Sequence, residues 1–205
     1  MRASTQRIAV PGPVGRIECA IDSPSSAPRG VALVAHPHPL YGGTLDNKVV
    51  QTLARTFVDL GYLAVRPNFR GVGASEGAHD AGAGEVDDLA AVLTHVQGEF
   101  GDAPAVVAGF SFGAAMQVRL AQRLAPERLA RMVLVGVAVE RLDSLLAPKG
   151  TLVIHGERDE TVPLAAVLDW ARPQDLPIVL VPGADHFFHR RLQTLRGIVR
   201  GAWGA

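Results

Sequence analysis

Gly109-Phe110-Ser111-Phe112-Gly113 follows directly on the apolar run Ala105 to Ala108, so a serine stands where the pattern predicts a sharp turn from strand to helix. Hydrolases hold a nucleophile in such a turn, and glycines two before and two after it avoid collisions with the neighbouring strand and helix. A serine hydroxyl is a weak nucleophile until a base takes its proton, and the base in turn needs a carboxylate to orient it. Among seven histidines, His186 is the first choice, because it lies between the last predicted strand and the last predicted helix in Val181-Pro182-Gly183-Ala184-Asp185-His186-Phe187-Phe188. His189 is expected inside that helix as a solvated surface residue, and His95 and His155 as structural or exposed ones. For the acid, Asp159 stands just beyond the run Leu152 to Ile154 and before Thr161-Val162-Pro163, where a helix should begin, with Glu157 and Glu160 as rivals. An aspartate there would hold the imidazole in one tautomer and stabilise the imidazolium.

Each of these residues has a plainer reading. Ser111 could simply cap the following helix, as serine commonly does, and Asp159 could do the same for the next one. His36 and His38 imitate a pair of metal ligands at a strand end, but no further acid and histidine set completes a site, so neither metal nor cofactor is expected. Arg70 with Gly71 and Gly73 lacks the spacing and the lysine of a phosphate-binding loop, and predicts instead a turn held by an arginine hydrogen-bond network.

The elements that must position these groups are legible in the periodicity. Gln6 to Val10 and Arg16 to Ile21 read as a hairpin across Pro11 to Gly15. From Val31 on, continuous apolar runs at Val31–Ala35, Tyr62–Val65, Ala105–Ala108, Met132–Val137, Leu152–Ile154 and Ile178–Val181 suit strands buried on both faces. Between them Val49, Val50, Leu53, Phe57 and Leu60, and then Val86, Leu89, Leu93, Val96 and Phe100, keep helical spacing. Leu192, Leu195, Ile198 and Val199 mark a last helix whose solvated face carries Arg190, Arg191, Arg196 and Arg200, and Gly71 to Gly84 reads as a mobile loop. Alternating strands and helices imply crossovers, a mainly parallel sheet, and reactive loops at the carboxyl ends of the strands.

The 205 residues, 48% of them hydrophobic, fit one α/β domain over residues 1–205. Twenty basic and twenty acidic residues give zero formal charge, which argues against a nucleic acid or an anionic membrane as partner and leaves the substrate free to be uncharged. The lone Cys19 excludes an internal disulfide, and Met1 to Pro11 has no apolar core of a secretory signal, so a cytoplasmic protein is expected. No stretch approaches the roughly 18 consecutive apolar residues that span a bilayer. An exposed sheet edge or the last helix could pair two copies as a homodimer.

The sequence resembles the α/β-hydrolases, and more narrowly the small bacterial lidless serine hydrolases related to dienelactone-hydrolase-like proteins. Five blocks carry the resemblance: His36 to Thr44 with Asn47 to Val50, Asn68 to Ser75, Gly109 to Gly113, His155 to Asp159, and Asp185 to Phe188. It implies an eight-stranded, mostly parallel sheet with helices on both faces and no cap domain. It also implies a Ser111-His186-Asp159 triad, in the chain order serine, acid, histidine that this family uses. One oxyanion donor is then the amide of Phe112, next after the nucleophile. The second belongs to the loop after the third strand, where Pro37 and Pro39 lack N–H groups and leave His38, favoured by the family analogy, or Leu40. Families with a His-Gly turn there have His-Pro here. Leu40, Phe110 and Phe187 are the expected substrate contacts, while at least two of Phe110, Phe112, Phe187 and Phe188 belong to the core.

The expected function is therefore a serine carboxylesterase acting on a small-molecule acyl ester. The stretch between Val137 and Thr151, where relatives insert a cap, is too short for one, which favours short or soluble acyl groups. The same triad would serve a thioesterase or an amidase, and a non-catalytic binding protein could keep the fold.

Overall fold

In the computed structural model, which describes residues 5–203, the hairpin joins β1 (Thr5–Gly12) to β2 (Gly15–Asp22) through a turn of only Pro13 and Val14. Part of the amino-terminal stretch weighed for a secretory signal lies outside the described residues. β2 pairs antiparallel with β4 (Leu63–Pro67). β4 then pairs in parallel with β3 (Val31–Ala35), and the parallel ladder continues through β5 (Ala105–Phe110), β6 (Leu129–Val135), β7 (Leu152–Gly156) and β8 (Ile178–Val181). The eight strands form one sheet in the order β1-β2-β4-β3-β5-β6-β7-β8.

Successive side chains of a strand point to opposite faces, and each face here meets a different set of helices. Leu33, Val65, Val107, Leu134 and Val153 pack under α2 (Ala83–Phe100), α3 (Phe112–Ala121) and α4 (Leu164–Ala171). Val34, Ala64, Val106, Val133 and Ile154 pack under α1 (Lys48–Asp59) and α5 (Leu192–Trp203), where Phe57, Leu195 and Val199 are fully buried. Cys19, on β2, is fully buried in the first of these layers, and burial pushes its thiol up to about 12.

Three expectations need correction. β8 is an edge strand, with Leu180 exposed, so only its last residue is buried. Phe100 ends α2 in solvent rather than in the core. Arg190 and Arg191 precede α5, as does His189, because the chain makes a tight turn there with Phe188 and Arg190 both at positive φ. The Gly71–Gly82 segment is a loop, as expected, and it is tied down. Arg70 holds Asp88 of α2 by two bonds of 2.8 Å, Glu76 binds Arg16, and the buried Glu85 carboxylate accepts from the amides of Asp80 and Gly82.

Strand order reverses at β3, whose neighbours are β4 on one side and β5 on the other. Such a reversal opens a crevice at the carboxyl ends of the two strands, and the loops leaving β3 and β5 carry His38 and Ser111 respectively. Two features set the shape of this crevice. First, α3 leaves β5 so abruptly that a Cβ on Gly113 would stand 2.4 and 2.5 Å from the carbonyl oxygens of His36 and Ala35, and one on Gly109 would stand 2.5 Å from the Gly113 carbonyl oxygen. Second, the fully buried His36 ring accepts the Phe69 amide at Nε2 (3.0 Å) and therefore donates from Nδ1 to the Pro37 carbonyl (2.6 Å), joining the ends of β3 and β4 as a neutral imidazole. Burial lowers its pKa from 6.5 to about 4, against the raising effect of the bond to Pro37.

Two outcomes follow. Gly113→Ala forces backbone apart where neither side is a flexible side chain; a loss of about 1–3 kcal/mol, the usual range for overpacking, is expected as a lowered thermal midpoint. For His36, folded and unfolded chains are both neutral above 6.5; between there and about 4 only the unfolded chain binds the proton, so stability falls on acidification, by up to about 3 kcal/mol. Urea unfolding at about pH 7.5 and about pH 4.5 should show a correspondingly shallower pH dependence in His36→Asn than in the wild type.

Candidate active site

Ser111 lies between the last residue of β5 and the first of α3 at φ 55°, ψ −118°. Its amide donates to the Val135 carbonyl (2.9 Å), and its own carbonyl accepts from Ala115 (3.2 Å) and Ala138 (3.3 Å). The backbone is thus held on three sides in a conformation that side chains rarely adopt. The hydroxyl makes no capping bond to the helix. The plain reading of Ser111 as an N-cap therefore fails, and the group is left available at the floor of the crevice.

His186 is buried, with Nδ1 2.7 Å from Asp159 Oδ2. Its ring lies 4.8 Å from that of Phe110 and 5.2 Å, edge-on, from that of Phe187. Gly136 borders the imidazole closely enough that a Cβ would stand 3.3 Å from two ring atoms. Since Val135 holds the Ser111 amide and the next residue abuts His186, serine and imidazole converge on one short stretch after β6. Sequence reasoning placed Gly136 inside a strand; β6 in fact ends at Val135, and Gly136 takes a positive φ. A glycine interrupting an apolar run was the available signal.

Asp159 is the one carboxylate of its loop that meets His186. Its second oxygen accepts the amides of Thr161 (3.0 Å) and Val162 (2.8 Å). Burial by itself would raise its pKa, but the His186 hydrogen bond, the Val162 amide and the nearby imidazoles outweigh burial and hold the carboxyl below the usual range. Behind it, fully buried His155 has Nε2 3.0 Å from the Val162 carbonyl and 3.7 Å from Asp159, with its pKa lowered chiefly by burial. His155 thus holds, by its carbonyl, the residue whose amide binds the carboxylate. Glu157 accepts the Gly183 amide (2.7 Å) and Glu160 faces solvent. Asp159 caps no helix, because α4 begins five residues further on, after Pro163.

The two loops that could supply oxyanion donors also meet. His38 and Phe112 have ring centroids 4.8 Å apart, and among the described residues neither backbone amide has an acceptor within the protein. The Leu40 amide is engaged, donating to His38 Nδ1 (3.3 Å). The His38 carbonyl accepts from Tyr41 and Gly43, both at 3.1 Å, and the Pro37 carbonyl accepts from His36 Nδ1, so the residue between the two prolines is held on both sides. Burial, followed by the fields of His79 and Arg141, keeps the His38 pKa below the ordinary histidine value. With His36 and His38 both bonded to backbone groups, this pair does not present two free metal ligands.

Of the expected substrate contacts, Leu40 (68% exposed) and Phe187 (48%) face solvent beside the crevice. Phe110 needs correction: it is fully buried behind the His186 ring and supports the imidazole instead of lining a pocket. Phe112 and Phe188 are core residues. Between β6 and β7 the chain forms only a 3-10 turn at Val139–Arg141, and no helical cap. His189, exposed, pairs with Asp185 at 2.6 Å and not with the aspartate under His186.

Comparison with known proteins agrees with this fold. Residues 39–150 match the family model described as alpha/beta hydrolase fold. An uncharacterized protein of Rickettsia prowazekii (strain Madrid E) is 36% identical over 196 residues, covering 89% of this chain and 82% of that protein. A crystal structure from Xanthomonas campestris, described as an a/b serine hydrolase without lid, is 36% identical with a TM-score of 0.89 over 98% of this chain and 94% of the other. An alpha-beta serine hydrolase homologue from Coxiella burnetii is 38% identical with a TM-score of 0.87, covering 95% of each chain. A matching family model over more than half the sequence, close relatives along nearly all of it and the strand order with its elbow agree on one conclusion: this chain belongs to the alpha/beta hydrolase fold family.

Proposed function

We propose that the protein is a serine hydrolase that cleaves carboxylic esters with short or soluble acyl groups through an acyl-enzyme on Ser111. The observation that carries this reading is the uncapped Ser111 hydroxyl at a strained elbow whose amide binds Val135, next to the Gly136 that abuts an imidazole with its Nδ1 2.7 Å from Asp159. Ser111 Oγ attacks the ester carbonyl carbon as His186 Nε2 takes its proton. Asp159, bound to Nδ1–H, fixes the tautomer and stabilises the imidazolium. The developing oxyanion takes the amides of Phe112 and His38, two donors that need no reorganisation because the peptides around them are already held. Collapse of the tetrahedral intermediate breaks the bond to the alcohol oxygen, to which His186 returns the proton. Water, deprotonated by the same imidazole, then releases the acid. Leu40 and Phe187 contact the substrate.

An ionised Asp159 supports this assignment, since a protonated acid would not stabilise the imidazolium. The uncovered crevice supports soluble substrates, because no apolar lid encloses a long chain.

A fluorophosphonate should label the wild type at Ser111, and folded Ser111→Ala should lose roughly 10⁴-fold or more in kcat on p-nitrophenyl acetate. Equal rates in the two proteins would exclude Ser111 as nucleophile. Across p-nitrophenyl esters from acetate to palmitate, kcat/KM should be greatest for the short acyl groups, with an acyl thioester below the matching oxygen ester; a rise toward palmitate would contradict the open site.

A further inference from the structure

Two imidazoles meet one carboxylate below the crevice. Asp159 Oδ2, which lies 2.7 Å from His186 Nδ1, also lies 3.7 Å from Nε2 of His155, a fully buried residue of β7. The other oxygen of Asp159 takes the amides of Thr161 and Val162. Only His186 handles protons in the hydrolysis, which leaves His155 without a chemical part.

The tautomer of His155 follows from its surroundings. A carbonyl only accepts, so the Nε2 that lies 3.0 Å from the Val162 carbonyl carries the proton. Nδ1 is buried too and has no hydrogen-bond partner among the described residues to receive a second proton. The ring is therefore a neutral dipole, fixed with its N–H end toward Val162 and Asp159. It acts on the carboxylate in two ways. Its N–H end attracts Oδ2 across 3.7 Å, too far for a hydrogen bond but close for a charge and a dipole in a dry interior. Its bond to the Val162 carbonyl also holds the residue whose amide donates to Oδ1 at 2.8 Å.

The charge on Asp159 draws a proton onto His186, and each fixed donor that compensates this charge weakens the pull. We propose that His155 is a positioning residue which, by compensating Asp159, makes His186 a weaker base and keeps it unprotonated, and the enzyme active, at lower pH than the Asp159–His186 pair alone would allow. The inference rests on the reading of His186 as the base that takes the Ser111 proton. The titratable groups facing His155 are Asp159 and His186. Beside His186, Arg158, Glu160 and Asp185 line a shallow depression, with Asp185 2.6 Å from His189. These outer groups are common to every variant compared, so their fields cancel.

The test is the pH profile of kcat/KM on p-nitrophenyl acetate, whose acid limb reports the base of the free enzyme. In His155→Leu the limb should move up by roughly half a pH unit or more, about a threefold loss of activity below it. His155→Gln, whose side-chain amide can still donate to the Val162 carbonyl, should restore the limb to near its wild-type position. A fall in activity at every pH with the limb unmoved reduces His155 to a structural bracket and overturns the proposal, as does a downward shift or a Gln variant that behaves like Leu. The wild type supplies a check that needs no variant: ring nitrogen shifts by NMR should show His155 as the neutral Nε2–H tautomer throughout the His186 titration, and the other tautomer or a charged ring would overturn the proposal. The same titration separates the two readings. If the acid limb does not coincide with the titration of His186 in the wild type, the reading of His186 as the base has failed; if the two coincide and neither moves in His155→Leu, only the role of His155 has.

Discussion

Backbone packed directly on backbone, at the point where α3 begins against the end of β3, is the constraint from which the rest of the site follows. No side chain separates Gly113 from the carbonyls of Ala35 and His36. This closeness bends the chain at Ser111 into its strained dihedrals, brings the first amide of α3 alongside the loop that leaves β3, and sets the His38 and Phe112 rings together. The cost of such a conformation, of order 1–3 kcal/mol, is sustained by surrounding bonds: the Ser111 amide is engaged by the last residue of β6, and its carbonyl by Ala138 just beyond and by Ala115 of α3. Rigidity and reactivity share a cause here, since whatever fixes the turn also leaves the serine hydroxyl without a structural partner.

The histidines divide the electrostatic labour according to what lies behind each ring. His36 and His155 are fully buried among backbone carbonyls and apolar side chains, where the charged form is disfavoured, and they act as neutral brackets between loops. His186 is backed by a carboxylate instead. That carboxylate stays ionised although buried, because the amides of Thr161 and Val162 and the imidazoles around it replace the water it has lost.

Much of this was legible in the sequence, because the signals were local. The glycines around Ser111 reported a close approach of backbones, continuous apolar runs reported central strands, and positions just past strand ends brought Asp159 and His186 together. The misreadings concern what depends on distant neighbours. Phe110 looks like a pocket residue until β6 and the His186 turn are laid over it, and β8 looks like a central strand until the sheet is seen to stop there. The engagement of the Leu40 amide depends on a ring nitrogen two residues away whose orientation no spacing rule predicts.

Cys19 gives the molecule an unusual chemical simplicity. It is the sole thiol of the sequence, wholly buried on β2, and with its pKa pushed up to about 12 it stays protonated throughout the range in which proteins are handled. Thiolates, not thiols, react with electrophiles and oxidants. The native protein therefore offers soft electrophiles no competing sulfur, and a cysteine introduced at any exposed position could carry a fluorophore or spin label as the only reactive one, making motions of the uncovered crevice accessible to spectroscopy without first removing a native residue.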